Sequence, residues 1–282
     1  MNLFEAILLG ILQGFTEFLP ISSTGHLTVA GKLMNLISYE APEQWTSFIA
    51  VIQLGTLVSI LIYFRKDLWN ISKDFLKENL KEKKSFSSQS YNSRTGWFII
   101  IGTIPVVVIG LLFKDIIEGS LTKNLYVISA SLIGLALVLA VAEKTARFRK
   151  EMKDITILDS LVIGFAQAFA LIPGSSRSGT TITGGLFAGL NRESAARFSF
   201  LLSVPAILAS GLLQLYEALK FIDSSIALNL IVATIFSGIS GYLAIDFLLK
   251  FLRKNTTFVF IYYRIVLGIG IIILISSGII QK

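Results

Sequence analysis

Six long apolar segments constrain the fold of this chain more than any other feature of its sequence. They are 46–63, 98–113, 125–142, 198–216, 226–249 and 258–280. Most of them reach the roughly 20 residues that an α-helix needs to cross a bilayer. They are apolar all round, whereas the helices of a large soluble core would carry amphipathic stripes. Because 54% of the residues are hydrophobic and only 15% are charged, the sequence predicts an all-α polytopic membrane protein.

The basic residues are concentrated in a few of the connections between these segments. The basic connections are 65–94, 144–153, 192–197 and 250–254. The connections poorer in Lys and Arg are 38–44, 115–123 and 218–225. Basic connections lie on the cytoplasmic side of a membrane, so both termini are expected outside. We therefore attribute the net charge of +7 to solvated loops and lipid headgroup contacts, and we predict no nucleic acid partner.

Two further apolar segments are interrupted by short polar stretches. Segment 2–38 is broken at "PISSTG" and segment 155–190 at "PGSSRSG". The charge pattern requires the first to begin and end outside and the second to begin and end inside, so each is predicted to form a re-entrant helical hairpin. Backbone that leaves the helix is tolerated at membrane depth only where protein or a wet cavity surrounds it. Both stretches are therefore expected to meet inside the protein.

The two interrupted segments resemble each other in sequence. "GILQGFTEFLPISSTG" (10–25) aligns with "GFAQAFALIPGSSRSG" (164–179), and each is followed by three apolar segments. The charge pattern orients the halves oppositely, which predicts an inverted-topology repeat of about six transmembrane helices plus two re-entrant helical hairpins. Such repeats bring broken helices together near the membrane midplane. A single membrane domain over 1–282 is expected to contain repeat 1–143, cytoplasmic linker 144–154 and repeat 155–282.

The polar stretches have the features of a phosphate site. A helix is predicted to begin just after each stretch, and helix N-termini bind anions through free N–H groups and the positive end of the dipole. Arg177 adds a planar guanidinium that suits phosphate oxygens. The other residues expected to bind substrate there are Ser22, Thr24, Gly25, Gly174, Ser175, Ser176 and Thr181. The structural alternatives are that the serines cap helices and that Arg177 pairs with Glu17 to join the halves.

The first polar stretch also contains groups capable of acid–base or nucleophilic chemistry. Gln13 and Glu17 are four residues apart and share one helix face, and Glu17 is a candidate general base or oxygen ligand for Mg²⁺ or Ca²⁺. His26, the only histidine, is a candidate acid or nucleophile, the alternative being a satisfied side chain at the helix start. The chain has no cysteine, which excludes disulfides and thiolate chemistry.

The stretches "QGFTEFLPISSTGH" and "PGSSRSGTT" resemble the two signature motifs of bacterial undecaprenyl-diphosphate phosphatases, the bacitracin-resistance family. The first motif is Glu/Gln-x-x-x-Glu followed by Pro-x-Ser-Ser-x-Gly-His, and the second is Pro-Gly-x-Ser-Arg-Ser-Gly-x-Thr. The similarity continues through "VIQLGT", "IPVVVIGLLF" and "FSFLLSVP". Gln13 occupies the first acidic-or-amide position, so Glu17 is the only carboxylate of the motif. That departure weakens the case for a metal site built from Gln13 and Glu17.

The resemblance implies hydrolysis of undecaprenyl diphosphate to undecaprenyl phosphate, the lipid carrier of cell-wall precursors, and with it bacitracin resistance. It also implies a divalent cation, Mg²⁺ or Ca²⁺ with Glu17 as a ligand, and a place in the bacterial inner membrane with the active site toward the periplasm. Carried over by position, the catalytic residues are Glu17, Ser23, His26 and Arg177, and Gln13 is expected to contact substrate. Assembly as a homodimer is left open.

The alternative function is a transporter or flippase of lipid phosphates, because inverted repeats with broken helices are transporter architecture. Glu17, Ser23 and His26 favour the enzyme, since transport needs no nucleophile. The phosphatidic-acid type of lipid phosphatase is rejected because its chemistry requires a second histidine. Ser23 is the predicted nucleophile, with Glu17 taking its proton directly or through a metal-bound water, and attack by His26 or by water remains an alternative.

Overall fold

The computed structural model describes residues 1–37, 42–113, 124–219 and 224–280. These residues form eleven α-helices and no β-strand. The helices are α1 (Leu3–Phe18), α2 (Ser23–Leu33), α3 (Pro42–Tyr63), α4 (Arg65–Leu76), α5 (Tyr91–Leu112), α6 (Leu125–Thr145), α7 (Ile157–Ala168), α8 (Arg177–Phe187), α9 (Arg192–Ala218), α10 (Ser224–Leu252) and α11 (Phe258–Ser276). The connections predicted to lie outside the cell, 38–44, 115–123 and 218–225, fall largely outside the described residues.

Six of the helices are long and apolar enough to cross a membrane, which confirms the predicted number of spans. They are α3, α5, α6, α9, α10 and α11. Some of them extend beyond the apolar segments. For example, α5 begins at Tyr91 rather than at position 98, because the Ser90 hydroxyl caps the helix by accepting the N–H of Ser93 at 3.3 Å. Polar residues at a helix start do not end a helix that is properly capped.

Both interrupted segments form a helix, a break and a second helix, as predicted. In the first, α1 ends at Phe18 and α2 begins at Ser23, with Pro20 in the break. In the second, α7 is followed by a 3₁₀ turn and α8 begins at Arg177, with Pro173 in the break. Proline lacks the N–H needed to continue a helix and its ring clashes with the preceding turn. Each break therefore combines a proline with a stretch rich in serine and glycine, "PISSTG" and "PGSSRSG".

The helices of the two halves pack in a reciprocal pattern. Helix α1 packs against α10 and α7 against α5, while α3 packs against α9 and α6 against α11. At the first two crossings the backbones touch: a Cβ on Gly10 would lie 2.3 Å from the Ala233 carbonyl oxygen, and one on Gly164 would lie 2.4 Å from that of Gly102. If the two halves are exchanged, the contact of α1 with α10 corresponds to the contact of α7 with α5. The opposite orientation of the halves in a membrane, and their division at 144–154, stay predictions.

The connection 65–94 contains more regular structure than the loop that the sequence suggested. It begins with α4 and ends in a hydrogen-bonded turn, in which Asn79 Nδ2 donates to Ser93 Oγ at 3.2 Å. The Ser90 N–H donates to Glu78 Oε2 at 2.8 Å. This bond stabilises the charged carboxylate, so it holds the pKa of Glu78 below its usual value. The connection therefore presents its many lysines on an ordered scaffold.

A reporter domain inserted within 65–94 is expected to read as cytoplasmic, and one fused after Lys282 as external. The reason is the clustering of Lys and Arg in that connection, which retains it on the inner side of the membrane. Paired reporters that are active only in the cytoplasm or only outside it provide the measurement. An external reading for 65–94 would contradict both the topology and the inverted repeat.

Candidate active site

The two polar stretches adopt the same backbone shape where their second helices begin. Ser22 and Ser176 are the N-caps of α2 and α8, with φ angles of 75° and 66°. Residues other than glycine seldom adopt this left-handed region, and such strain is concentrated at functional sites. Their hydroxyls accept the N–H groups of Gly25 and Gly179, each at 3.2 Å. The other N–H groups of each first turn have no partner within the helix, which leaves them for an anion.

The two stretches meet, as the sequence analysis predicted. Ser178, in the first turn of α8, donates its hydroxyl to the carbonyl oxygen of Leu19 at 3.0 Å. Arg177 forms an ion pair with Glu17 through Nη2 and Oε1. Both side chains are largely buried, and charges that leave water need a partner of this kind. The pair therefore joins the halves, which was the structural alternative for Arg177, and it also places the guanidinium beside the first stretch.

Glu17 accepts hydrogen bonds from four side chains. Gln13 Nε2 and Ser23 Oγ donate to Oε2 at 3.1 and 2.8 Å. Gln53 Nε2 donates to Oε1 at 2.7 Å, and Arg177 donates to the same oxygen. The Gln13 contact confirms that residues 13 and 17 share a helix face. Because each donor favours the ionised form of the carboxylate, the arrangement holds Glu17 as an acceptor in a fixed orientation.

Ser23 and Glu17 have the geometry of a nucleophile and its base. Their separation of 2.8 Å lies within the range at which a base takes the proton of an attacking hydroxyl. Ser23 is also the first residue of α2, so its oxygen lies at the positive end of that helix. Arg177 stands on the other side of Glu17. The arrangement therefore suits attack by a serine on a group whose negative charge needs stabilisation.

A cavity of about 490 Å³ lies over this arrangement and has two chemically different ends. The polar end is formed by Glu17, Ser22, Ser23, Thr24, Gln53, Gln167, Ser175, Ser176 and Arg177. The apolar end is formed mainly by α5 and α9, through Val106, Val107, Gly110, Leu111, Ala206, Ile207, Ala209 and Leu213, with Ser210 as the one polar side chain that these two helices contribute. A ligand that fills both ends has a strongly polar or anionic head and an apolar chain.

The apolar end of the cavity lies between two helices that each contain a proline. Pro105 and Pro205 immediately precede lining residues of α5 and α9. Proline removes a helical hydrogen bond and bends the helix at that point. Leu111 is 72% exposed and Leu213 52%, so the apolar end reaches the outer surface of the helix bundle. This is the surface that faces lipid when the helices span a membrane.

Most of the predicted site residues line this cavity. They are Glu17, Ser22, Ser23, Thr24, Gly174, Ser175, Ser176 and Arg177. Gln13 does not line the cavity, and it positions the Glu17 carboxylate by donating a hydrogen bond to it. Gly25 directs its α-hydrogens toward α6, because a Cβ there would meet Ile128 and Leu132 at 3.5 Å. Its N–H contributes to the cap of α2 and not to the cavity wall.

His26 is adjacent to the cavity but does not line it. Its Nδ1 lies 2.6 Å from the carbonyl oxygen of Ser22, and a carbonyl only accepts, so Nδ1 carries a proton. Its Nε2 lies 2.7 Å from the hydroxyl of Tyr263, which donates to it when the ring is neutral. Both nitrogens are therefore engaged, and the ring holds the carbonyl of the strained residue that precedes Ser23. The catalytic role of His26 stays a prediction.

Thr181 is fully buried and faces the protein interior. Its hydroxyl lies 2.7 Å from the carbonyl oxygen of Arg177 and 2.5 Å from Ser199 Oγ. These contacts fix the first turn of α8 against α9. In this arrangement Thr181 supports the helix that carries Arg177 and makes no part of the cavity wall.

Known proteins match the chain over almost its full length. The family described as bacitracin resistance protein BacA matches residues 6–270. The chain belongs to this family. Similar proteins include the undecaprenyl-diphosphatase of Syntrophobacter fumaroxidans, 59% identical over 95% of each chain, and that of Chlorobaculum tepidum, 52% identical over 99% of each chain. That of Chlorobium phaeobacteroides is 51% identical over both complete chains. With six membrane-length helices, this BacA family member is a multi-pass membrane protein.

Three residues at the site of this BacA family member were missed by the sequence analysis: Gln53, Arg264 and Gln167, which lines the cavity. Gln53 lies within an apolar span and donates to Glu17. Arg264, on α11, is completely buried and donates from Nη2 to the carbonyl oxygen of Ser175 at 2.9 Å. Arg264 therefore fixes the backbone of the second polar stretch at Ser175. A charged residue inside a membrane span is a functional candidate by default, so the sequence did contain a signal for Arg264.

The residues around Glu17 do not fit a divalent cation held by the protein alone. The described part of the chain contains no group of three His, Asp or Glu side chains that would hold a metal ion. Both oxygens of Glu17 already accept hydrogen bonds, and one of the donors is the cation Arg177. Mg²⁺ and Ca²⁺ take several oxygen ligands, which usually include more than one carboxylate, and Glu17 is the only carboxylate among the described residues that line the cavity. The Mg²⁺ or Ca²⁺ expected at Glu17 stays a prediction.

Proposed function

We propose that this chain hydrolyses undecaprenyl diphosphate to undecaprenyl phosphate and inorganic phosphate, which recycles the lipid carrier of cell-wall synthesis and confers bacitracin resistance. The observation that carries the proposal is the Ser23–Glu17 hydrogen bond of 2.8 Å beside Arg177, at the head of a cavity with an apolar far end. The names of the similar proteins point to the same substrate. A diphosphate on a long apolar chain matches both ends of the cavity.

Ser23 is the attacking group in this reaction. Its oxygen forms a bond to the terminal phosphorus while the bond from that phosphorus to the bridging oxygen breaks, and Glu17 takes the serine proton. Undecaprenyl phosphate leaves with the bridging oxygen. A water molecule then attacks the phosphorylated Ser23, inorganic phosphate leaves, and the serine recovers a proton. The two reaction steps together consume one water molecule and need no oxidant or reductant.

Arg177 and the two helix starts supply electrostatic stabilisation. Phosphoryl transfer depends mainly on positioning and on neutralising the charge of the equatorial oxygens, with little work left for a base. The guanidinium and the first N–H groups of α2 and α8 converge on the polar end of the cavity. Glu17 has only to accept one proton at short range. His26 assists by fixing the Ser22 carbonyl, and a direct role on the leaving side is the less supported alternative.

The lipid chain of the substrate occupies the apolar end of the cavity. Val107, Leu111 and Leu213 line that end and are exposed on the outer face of the bundle. A substrate held in a bilayer thereby reaches Ser23 sideways, with its chain still in contact with lipid. We place the protein in the bacterial inner membrane with this site toward the periplasmic side, as the resemblance to the bacitracin-resistance family implies. A homodimer stays a prediction.

Purified protein in detergent is expected to release one inorganic phosphate for each undecaprenyl diphosphate consumed. The measurement is phosphate release together with chromatography of the lipid product. The competing function, a lipid-phosphate transporter or flippase, requires no nucleophile and releases no phosphate. If reconstituted protein moves the lipid between leaflets while leaving the diphosphate intact, the hydrolase proposal is wrong.

A further inference from the structure

Gln167 is a buried polar residue whose amide has no partner in the protein. It lies near the end of α7, is 0% exposed, and lines the polar end of the cavity. Neither its amide nitrogen nor its amide oxygen forms a hydrogen bond within the described part of the chain. A buried amide without partners costs free energy relative to its hydrated state. Its retention at this position therefore needs an explanation other than stability.

The counterpart of Gln167 in the other half shows the contrast. Gln13 aligns with Gln167 in the two interrupted segments, and it is equally buried at 1% exposure. Its Nε2 donates to Glu17 Oε2 at 3.1 Å, so its role is to orient the carboxylate. The corresponding position opposite Gln167 is occupied by no carboxylate, because Ala170 and Leu171 lie where the first segment places Glu17. Gln167 therefore lacks the partner that Gln13 has, at a position that lines the cavity.

The surroundings of Gln167 define what it can bind. Ser175, Ser176 and Arg177 share the polar end of the cavity with it, and α8 begins there. All of these supply hydrogen-bond donors to an acceptor-rich anion. The two N–H groups of an amide are donors of the same kind, whereas phosphate oxygens are acceptors. We propose that Gln167 is a substrate-binding residue that donates its amide N–H groups to a phosphate oxygen of the diphosphate.

This inference rests on the proposed function and adds a contact from the second half of the chain. Glu17, Ser23 and Gln13 place the reacting groups in the first half, and the second half contributes Arg177 and Gln167 to hold the anion. A neutral donor adds affinity without adding charge. It strengthens binding of the phosphate groups less than a second arginine does, so the charged product is still released.

Replacement of Gln167 by Met tests the inference, with Gln13→Met as the matched control. Methionine keeps the length of the side chain but removes both donors. Gln167→Met is expected to raise KM by roughly 10- to 100-fold, the loss for one hydrogen bond to a charged group, with a smaller change in kcat. Its melting temperature in detergent is expected to equal or exceed that of the original protein, since a buried unpaired amide is removed. Gln13→Met is expected to lower the melting temperature, since Glu17 loses a donor.

Three outcomes would overturn the inference. One is an unchanged KM for Gln167→Met. Another is a fall in its melting temperature as large as that of Gln13→Met, which would make the amide structural. The third concerns Gln167→Glu, an isosteric change that places a carboxylate beside the phosphates: a KM no higher than that of Gln167→Met would exclude direct contact. Absence of phosphate release by the unmodified protein would instead refute the proposed function.

Discussion

Arg177→Lys is expected to lower kcat/KM for undecaprenyl diphosphate by more than about 100-fold while the protein still folds. Lysine retains the charge, and with it much of the attraction to Glu17, but it lacks the planar fork that binds two oxygens at once. Loss of one preorganised donor at a transition state costs about this much. The measurement is the initial rate of phosphate release, with size-exclusion chromatography in detergent as the check on folding.

Arg253→Lys is a suitable control for this experiment. Arg253 pairs with Glu193 at 2.8 Å on an exposed surface, where an ion pair contributes little to stability. Turnover is expected to stay within about twofold of the original, because an exposed pair has little effect on either stability or the distant cavity. Near-normal turnover of Arg177→Lys would show that only the charge of Arg177 matters. The proposal that its guanidinium binds two phosphate oxygens at once would then be wrong.

Ser23→Ala is expected to abolish turnover, whereas His26→Gln is expected to leave measurable activity. Ser23 supplies the oxygen that forms the bond to phosphorus, so its removal leaves nothing for Glu17 to deprotonate. Glutamine at position 26 has an amide that can still donate to the Ser22 carbonyl, the contact that His26 Nδ1 makes at 2.6 Å. Single-turnover and steady-state rates for both variants provide the measurement.

Ser203→Ala serves as the control for loss of a buried serine. Its hydroxyl donates to the Phe200 carbonyl of its own helix at 2.7 Å, so turnover is expected to remain within about twofold, since such a bond contributes little net free energy. Substantial turnover of Ser23→Ala would exclude serine as the nucleophile. Phosphohistidine trapped on His26 during turnover would assign that role to the histidine.

The spans and the two breaks were predictable because local rules decide them. An apolar segment of about 20 residues has few alternatives to a membrane helix, and Pro20 and Pro173 lie in polar stretches that interrupt the helices. The Gln13–Glu17 contact follows from helical spacing alone. The meeting of Arg177 with Glu17 required one further step, the similarity of the two segments, and the structure bears it out.

The contacts that were not predictable join residues distant in sequence. Gln53 reaches Glu17 from a different helix, and no periodicity reveals the rotation of that helix about its axis. His26 was expected to face the substrate, but its orientation depends on Tyr263, which is far away in the chain. Thr181 belongs to the second motif, yet its hydroxyl lies against Ser199 and the Arg177 carbonyl and does not line the cavity. Motif membership alone does not separate a residue that binds from one that supports.

In the Glu17–Arg177 ion pair, the carboxylate of Glu17 occupies the guanidinium that an anionic ligand would also bind. Any phosphate that binds the guanidinium competes with a carboxylate tethered in the same molecule, and such tethering corresponds to a high effective concentration. A small anion such as inorganic phosphate gains only the contacts at the polar end and is held weakly. A lipid diphosphate gains the second phosphate and the apolar wall as well. The ion pair is thereby expected to favour the lipid diphosphate over inorganic phosphate, including the inorganic phosphate that each turnover produces.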